Sequence, residues 1–289
     1  MAHHHQDDHD DFGGLHRDLR ATGVELNRRS LLRLAARFGA AAGTLQLIGC
    51  GGDTPTSPSV TTTADTTTAT TTTTPPTTTA SCSRVPEETA GPYPGDGSNG
   101  PTVLSTSGVV RSDIRSSFGG LSGSADGVSL TVVLTIVSSS TCEPLSGRAV
   151  YMWHCDRPGR YSLYSSGVTN QNYLRGVQAA DASGRVSFTT IFPGCYSGRW
   201  PHIHFEVFPS VSAATSVGNK VATSQIALPK DACDAVYATA GYESSVRNLA
   251  QVSLATDNVF SDGSALELAT VTGSAAGGYT ASLTVAVAA

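Results

Sequence analysis

From Cys82 onward the chain alternates short apolar runs with turn signals. Leu130 to Val137 reads Leu-Thr-Val-Val-Leu-Thr-Ile-Val, a β-branched run of strand length. Arg148 to Trp153, Gly184 to Ile191, His202 to Phe208 and Tyr279 to Val287 have the same texture. Pro158-Gly159, Ser183-Gly184 and Pro193-Gly194 mark turns between them. Helical periodicity is weak, and only Asp231 to Tyr237 and Glu243 to Leu249 suit helices. There is no internal repeat. The pattern predicts an all-β domain over residues 82–289, a β-sandwich with long loops and few short helices.

The rest of the chain has a different texture. Residues 50–81 are almost entirely Thr, Pro, Ser, Ala and Gly after Cys50. Such a stretch has too little apolar surface to offset its ordering entropy and reads as a flexible stalk. Residues 1–49 read as an address. Asn27-Arg28-Arg29-Ser30-Leu31-Leu32 is a twin-arginine pattern, and Leu47-Ile48-Gly49-Cys50 has the form of a lipobox. The apolar stretch between them is short and broken by Arg33 and Arg37, which argues against a membrane span. The expectation is export by the twin-arginine route, with a lipid anchor on Cys50 at the outer face of the membrane, or secretion. His3, His4, His5, His9 and His16 fall in this leader and read as a solvated run. The net charge of −5 and the lack of a basic patch exclude a nucleic-acid binder. None of the six cysteines forms a C-x-x-C pair, which removes a zinc-ribbon reading.

Beyond Cys50 only His154, His202 and His204 remain. On a strand, His202 and His204 share one face, with Ile203, Phe205 and Val207 on the other. Such a pair is a platform for a metal, though taken alone it equally suits two hydrogen-bonded core histidines. Its surroundings carry more information. Upstream lie Pro193-Gly194-Cys195-Tyr196-Ser197-Gly198-Arg199-Trp200, then Trp153 to Tyr161 with Gly159-Arg160-Tyr161, then Thr89-Ala90-Gly91-Pro92-Tyr93. This ordered set, from about Val85 to Gln225, resembles the intradiol ring-cleavage dioxygenases, the family of protocatechuate 3,4-dioxygenase and catechol 1,2-dioxygenase.

The resemblance implies one Fe(III) per chain, held by Tyr161, Tyr196, His202 and His204. Fe(III) is hard and favours anionic phenolate oxygen, with imidazole completing the set. It implies catechol-type substrates and O2, with cleavage between the hydroxylated carbons to cis,cis-muconate-type products. Tyr196 would leave the metal and take a substrate proton, while Tyr161 stays bound. Arg199 would stabilise charge on the ring, and Gly91, Tyr93 and Gln225 would line the substrate site. Two features depart from the family: Ser197-Gly198 stand where an aromatic often follows the second tyrosinate, and the leader and stalk occupy the space of the helical N-terminal dimerisation domain of catechol 1,2-dioxygenases. A monomer is expected. His154 and Asp156 read as a satisfied core pair, with a supporting role behind the metal as the alternative. Because the two ligand segments would meet at one iron, Cys155 and Cys195 are expected to be paired. Two other readings stay open: a cupin-like metal oxygenase, for which Glu206 comes too early after the His pair, and a non-catalytic surface-binding sandwich.

Overall fold

The computed structural model describes residues 82–289, so the leader and stalk expected over residues 1–81 lie outside the described residues. Its strands are β1 Ser129–Ser138, β2 Ala149–Trp153, β3 Arg175–Ala179, β4 Arg185–Ile191, β5 His202–Phe208, β6 Ala222–Ala227, β7 Thr270–Ser274 and β8 Gly278–Val287. Two short helices, α1 Lys230–Tyr237 and α2 Glu243–Leu249, follow β6. The strands form two four-stranded sheets, ordered β4-β1-β8-β7 and β3-β2-β5-β6. The second sheet is antiparallel throughout. In the first, β1 runs parallel to β8 and antiparallel to β4. The fold is the all-β sandwich that the pattern predicts.

Alternation builds the core. Leu130, Val132, Leu134 and Ile136 of β1 join Val150 and Met152 of β2 and Ile203, Phe205 and Val207 of β5 in one buried cluster. Burying each such side chain contributes about 1.5–3 kcal/mol. The opposite face of β5 carries His202, His204, Glu206 and Phe208, and it is buried as well. There the covering layer is loop. Val103, Leu104, Val109 and Phe118 pack with Tyr151, Trp153, Tyr161 and Tyr196 in a second cluster.

Three strands are absent from the apolar pattern. β3 begins with Arg175-Gly176, and a side chain at Gly176 would lie 2.6 Å from Ile114 Cγ2. β6 is Ala-Thr-Ser-Gln-Ile-Ala, polar on the face it turns away from the core, yet all of it is buried. β7 is an edge strand with little burial.

A strap at residues 82–88 ties the sheets together. Val85 N–H donates to Ala286 O at 2.9 Å, and Glu88 N–H to Thr223 O at 2.9 Å. A disulfide between Cys82 and Cys142 anchors its start to the loop after β1. The expected Cys155–Cys195 bridge is not formed: both are free and buried, as is Cys233. The segments do meet, but the thiols turn onto different carbonyls, Cys155 Sγ to Gly194 O at 3.3 Å and Cys195 Sγ to Arg199 O at 3.4 Å.

Replacing Cys82 and Cys142 together by Ser should lower stability by about 2–4 kcal/mol, because a 60-residue closed loop is released in the unfolded chain. Urea unfolding of the 82–289 domain with and without the pair checks this, and an unchanged midpoint contradicts it.

Candidate metal centre

Two loops and one strand converge at a point on the loop-covered face of the second sheet. The first loop follows β2. Asp156 closes it: its Oδ1 accepts from Arg160 N–H at 2.7 Å, its Oδ2 from Arg160 Nε at 3.0 Å and from Tyr173 Oη at 3.0 Å. The turn delivers Tyr161, whose N–H is held by Ser165 Oγ at 2.9 Å. The second loop follows β4, and the helices grip it. Tyr242 Oη donates to Phe192 O at 2.8 Å and Tyr237 Oη to Pro193 O at 3.0 Å. Ser245 Oγ accepts from Cys195 N–H at 2.9 Å, and Asn248 Nδ2 donates to Cys195 O at 2.7 Å. Tyr196 is thereby fixed. Glycine lets the loops touch: Gly194 N–H donates to Asp156 O at 3.1 Å, and a side chain on Gly159, at φ +92°, would crowd Tyr196 Cβ.

β5 supplies the histidines. His202 Nδ1 can only donate to the carbonyl of Trp200, so its Nε2 carries the lone pair. His204 stacks on Trp153, its partner in the β2–β5 register, with ring centroids 5.0 Å apart and planes 4° from parallel. Its Nδ1 has no hydrogen-bond partner among the described residues, so stacking is what orients the ring. The four side-chain ends gather about His202 Nε2: Tyr161 Oη at 3.4 Å, Tyr196 Oη at 3.2 Å and His204 Nε2 at 3.1 Å. A single imidazole lone pair accepts one hydrogen, yet three polar atoms crowd it. A shared cation accounts for that crowding, since four donors around one ion stand about this far from each other. The donor set, two phenols and two imidazoles, fits a hard trivalent ion. Among the described residues no three His, Cys, Asp or Glu side chains form a metal-type group, so the tyrosines are essential to the reading.

Burial holds His202 and His204 well below the usual imidazole range, and the nearby Arg199 charge acts in the same direction on both. Both rings are therefore neutral and able to ligate near pH 7. Glu206 lies on the same face but belongs elsewhere: its Oε1 accepts from Lys220 Nζ at 3.1 Å. Burial pushes its carboxyl up to about 7, against the pull of Lys220.

Arg199 and Gln225 come together, with Arg199 Nη2 donating to Gln225 Oε1 at 2.7 Å. Gln225 Nε2 donates to Thr89 O at 2.8 Å and so ties the Thr89–Tyr93 segment to β6. Gly91 sits in that segment at φ +69°, and the Tyr93 ring lies 5.1 Å from the Tyr161 ring. Two residues with no motif of their own prove central. Arg175 is buried and makes five hydrogen bonds, to Ser162 Oγ, Ser162 O, Tyr93 O, Pro94 O and Tyr151 Oη, tying the first loop to the Tyr93-Pro94 segment and to β2. Asp257 bonds Arg199 from below. His154 and Asp156 do not pair with each other. His154 is satisfied by Cys155 O at 2.8 Å and Thr190 Oγ1 at 2.7 Å.

Residues 111–238 match the family model Dioxygenase_C, described as a dioxygenase. The chain is similar in structure to an intradiol ring-cleavage dioxygenase from Tetranychus urticae, at 25% identity and a TM-score of 0.56, over 72% of this chain and 95% of that one. It is also similar to the dioxygenase domain of a dioxygenase carbohydrate-binding protein fusion from Streptomyces sp. SirexAA-E, at 23% identity and a TM-score of 0.46, over 71% of this chain and 99% of that one. Catechol 1,2-dioxygenase from Pseudomonas arvilla C-1 matches at 19% identity and a TM-score of 0.43, over 70% of this chain and 62% of that one. No curated protein matches the chain in sequence.

His154 makes the domain acid-sensitive. Burial holds it down to about 4, below its value of 6.5 when unfolded. The unfolded chain therefore binds the extra proton first, and stability is full above about pH 6.5 and lost as pH falls towards 4. The loss from this residue is of the order of 3 kcal/mol. Urea midpoints from pH 7 to 4 should fall less steeply in His154→Gln than in the wild type; parallel curves contradict the assignment.

Proposed function

We infer the chemistry of this site from one premise: the chain belongs to the intradiol ring-cleavage dioxygenase family, enzymes that open catechol-type rings. We propose that Tyr161, Tyr196, His202 and His204 hold one Fe(III), and that the chain uses O2 to cleave catechols to cis,cis-muconate-type products. The observation that carries this is the crowding of three donor atoms within 3.4 Å of His202 Nε2. Held by these four residues, ferric iron would supply Lewis-acid activation of a bound diol towards O2.

The chain's own residues do the rest. Tyr196, on the helix-gripped loop, would accept a proton from the incoming diol at its phenolate oxygen. Tyr161, on the Asp156-closed turn, remains in place. Arg199 supplies a fixed positive charge where negative charge grows on the ring, in a site dry enough for that charge to count. Tyr93, half-buried against Tyr161, forms one wall, and Gln225 positions both Arg199 and the Thr89–Tyr93 segment. A cupin-like centre is disfavoured by the Glu206–Lys220 pair, which takes the carboxylate away from the histidines. All four proposed ligands come from one chain, and a monomer is the working unit in this reading.

Purified protein should hold about one iron per chain and absorb broadly in the visible, as phenolate bound to ferric iron does. Tyr161→Phe or His204→Ala should abolish or greatly weaken iron binding. Arg199→Ala should keep iron and colour and lose about 100-fold or more in kcat. Zinc at stoichiometric level with no visible band, or a yellow semialdehyde product from ring opening outside the diol, rejects the proposal.

Surface placement is part of the same proposal. The twin-arginine signal, the Cys50 anchor and the stalk lie outside the described residues; the Cys82–Cys142 disulfide supports an oxidising compartment. A centre drawn from Tyr161, Tyr196 and β5 exists only after folding, which suits a route that carries folded proteins. Changing Arg28 and Arg29 both to Lys should clear activity from the cell surface and leave iron-loaded precursor inside. Undiminished surface activity counts against it.

A further inference from the structure

Arg199 is a buried cation, and the surrounding structure holds it from two sides. Neither Arg199 nor Asp257 exposes any side-chain surface, and Arg199 Nε meets Asp257 Oδ2 at 3.0 Å. The same Oδ2 accepts Trp200 N–H at 2.7 Å. Oδ1 accepts the N–H groups of Val259 at 2.8 Å and Phe260 at 3.1 Å. Four donors thus fix the carboxylate from two directions, and it cannot rotate without losing at least one. From the other side Gln225 Oε1 takes Arg199 Nη2 at 2.7 Å. A planar guanidinium held at its Nε edge and at Nη2 has no remaining freedom to tilt. The segment that supplies Asp257 also brings the Phe260 ring to 6.5 Å from the His202 ring. Trp200, whose N–H bonds Asp257, offers its carbonyl to His202 Nδ1.

We propose that Asp257 is a positioning residue for the ring-cleavage reaction: its carboxylate sets the plane and position of the Arg199 guanidinium that faces the reacting ring. This rests on the role assigned to Arg199 above. Asp257 does not touch substrate or metal. Its effect reaches the reaction through Arg199, and it appears when charge develops on the ring rather than when substrate binds. Asp257 also partners a fully buried guanidinium, at an orientation that the chain dictates.

The test compares Asp257→Asn, Arg199→Ala and the double variant in iron-loaded full-length protein. Three quantities are read: iron per chain with the visible band, the dissociation constant for catechol from the anaerobic change in that band, and kcat. Asp257→Asn should keep iron and the visible band. It should leave the anaerobic dissociation constant within about 3-fold, and lower kcat by about 10- to 100-fold, the scale on which removing a supporting partner impairs a metal site. In the Arg199→Ala background the same change should cost less than about 2-fold, since its partner is already gone. Wild-type kcat in Asp257→Asn, loss of iron in that variant, or losses that multiply in the double variant each overturn the inference. If Asp257→Asn does not fold, Asp257→Glu keeps the charge but moves it by one methylene. It should show the same loss confined to kcat, and wild-type kcat there overturns the inference. Wild-type protein without iron or ring cleavage would instead reject the proposed function itself, so the two failures are separable.

Discussion

A strand buried on both faces, with one of those faces polar, is the constraint on which this structure depends. β5 leaves none of its seven residues exposed. Ile203, Phe205 and Val207 enter an apolar core without difficulty. His202, His204 and Glu206 face the other way, and each would cost several kcal/mol if buried without a partner. Each is held in its own way. Glu206 takes Lys220, His202 takes the Trp200 carbonyl at one nitrogen, and His204 lies flat on Trp153. The two Nε2 atoms are left facing each other and two phenols.

The loops that cover this face are long, and two buried arginines stiffen them. Arg175 rises from β3 into the first loop layer and binds three backbone carbonyls that have no strand partner. Arg199 crosses towards β6 and the segment at residue 257. Guanidinium is suited to both tasks, because it presents several donors in a fixed plane. The architecture is a rigid double sheet carrying irregular chain, with the irregular chain braced from inside by charge. That is why a candidate centre that takes two of its four donors from loops can have fixed geometry.

Much of the fold and part of the site could be read in the sequence, for identifiable reasons. β1, β2, β4, β5 and β8 show themselves because one or both faces pack into an apolar core. The parity of β5 places His202 and His204 together without any structure. β3 and β6 stay hidden because their outward faces serve the polar layer, so Arg175, Thr223 and Gln225 break the apolar pattern. β7 stays hidden because an edge strand with Gly273 has little to pack. Asp257 has no local signature at all. Its meaning comes from Arg199, 58 residues away in sequence, and from N–H groups in its own segment. Long-range satisfaction of a buried charge leaves no periodicity to detect.

The cysteines show the same limit from another side. Convergence of the Tyr161 and Tyr196 loops is real, and it does bring Cys155 and Cys195 into the same region. Proximity of segments is not proximity of thiols, however, and a disulfide needs both Cβ vectors to point together. Here each sulfur is turned onto a carbonyl of the loop that carries Tyr196, where it acts as a weak donor and a small apolar filler. Burial pushes Cys195 up to about 12 and raises Cys155 and Cys233 well above the ordinary thiol range. The reactive thiolate is therefore scarce at all three. The solvent-side pair, Cys82 and Cys142, is oxidised, while the three thiols behind the candidate centre are shielded by the packing that positions Tyr196. The two loops are joined instead by backbone, Gly194 N–H donating to Asp156 O at 3.1 Å.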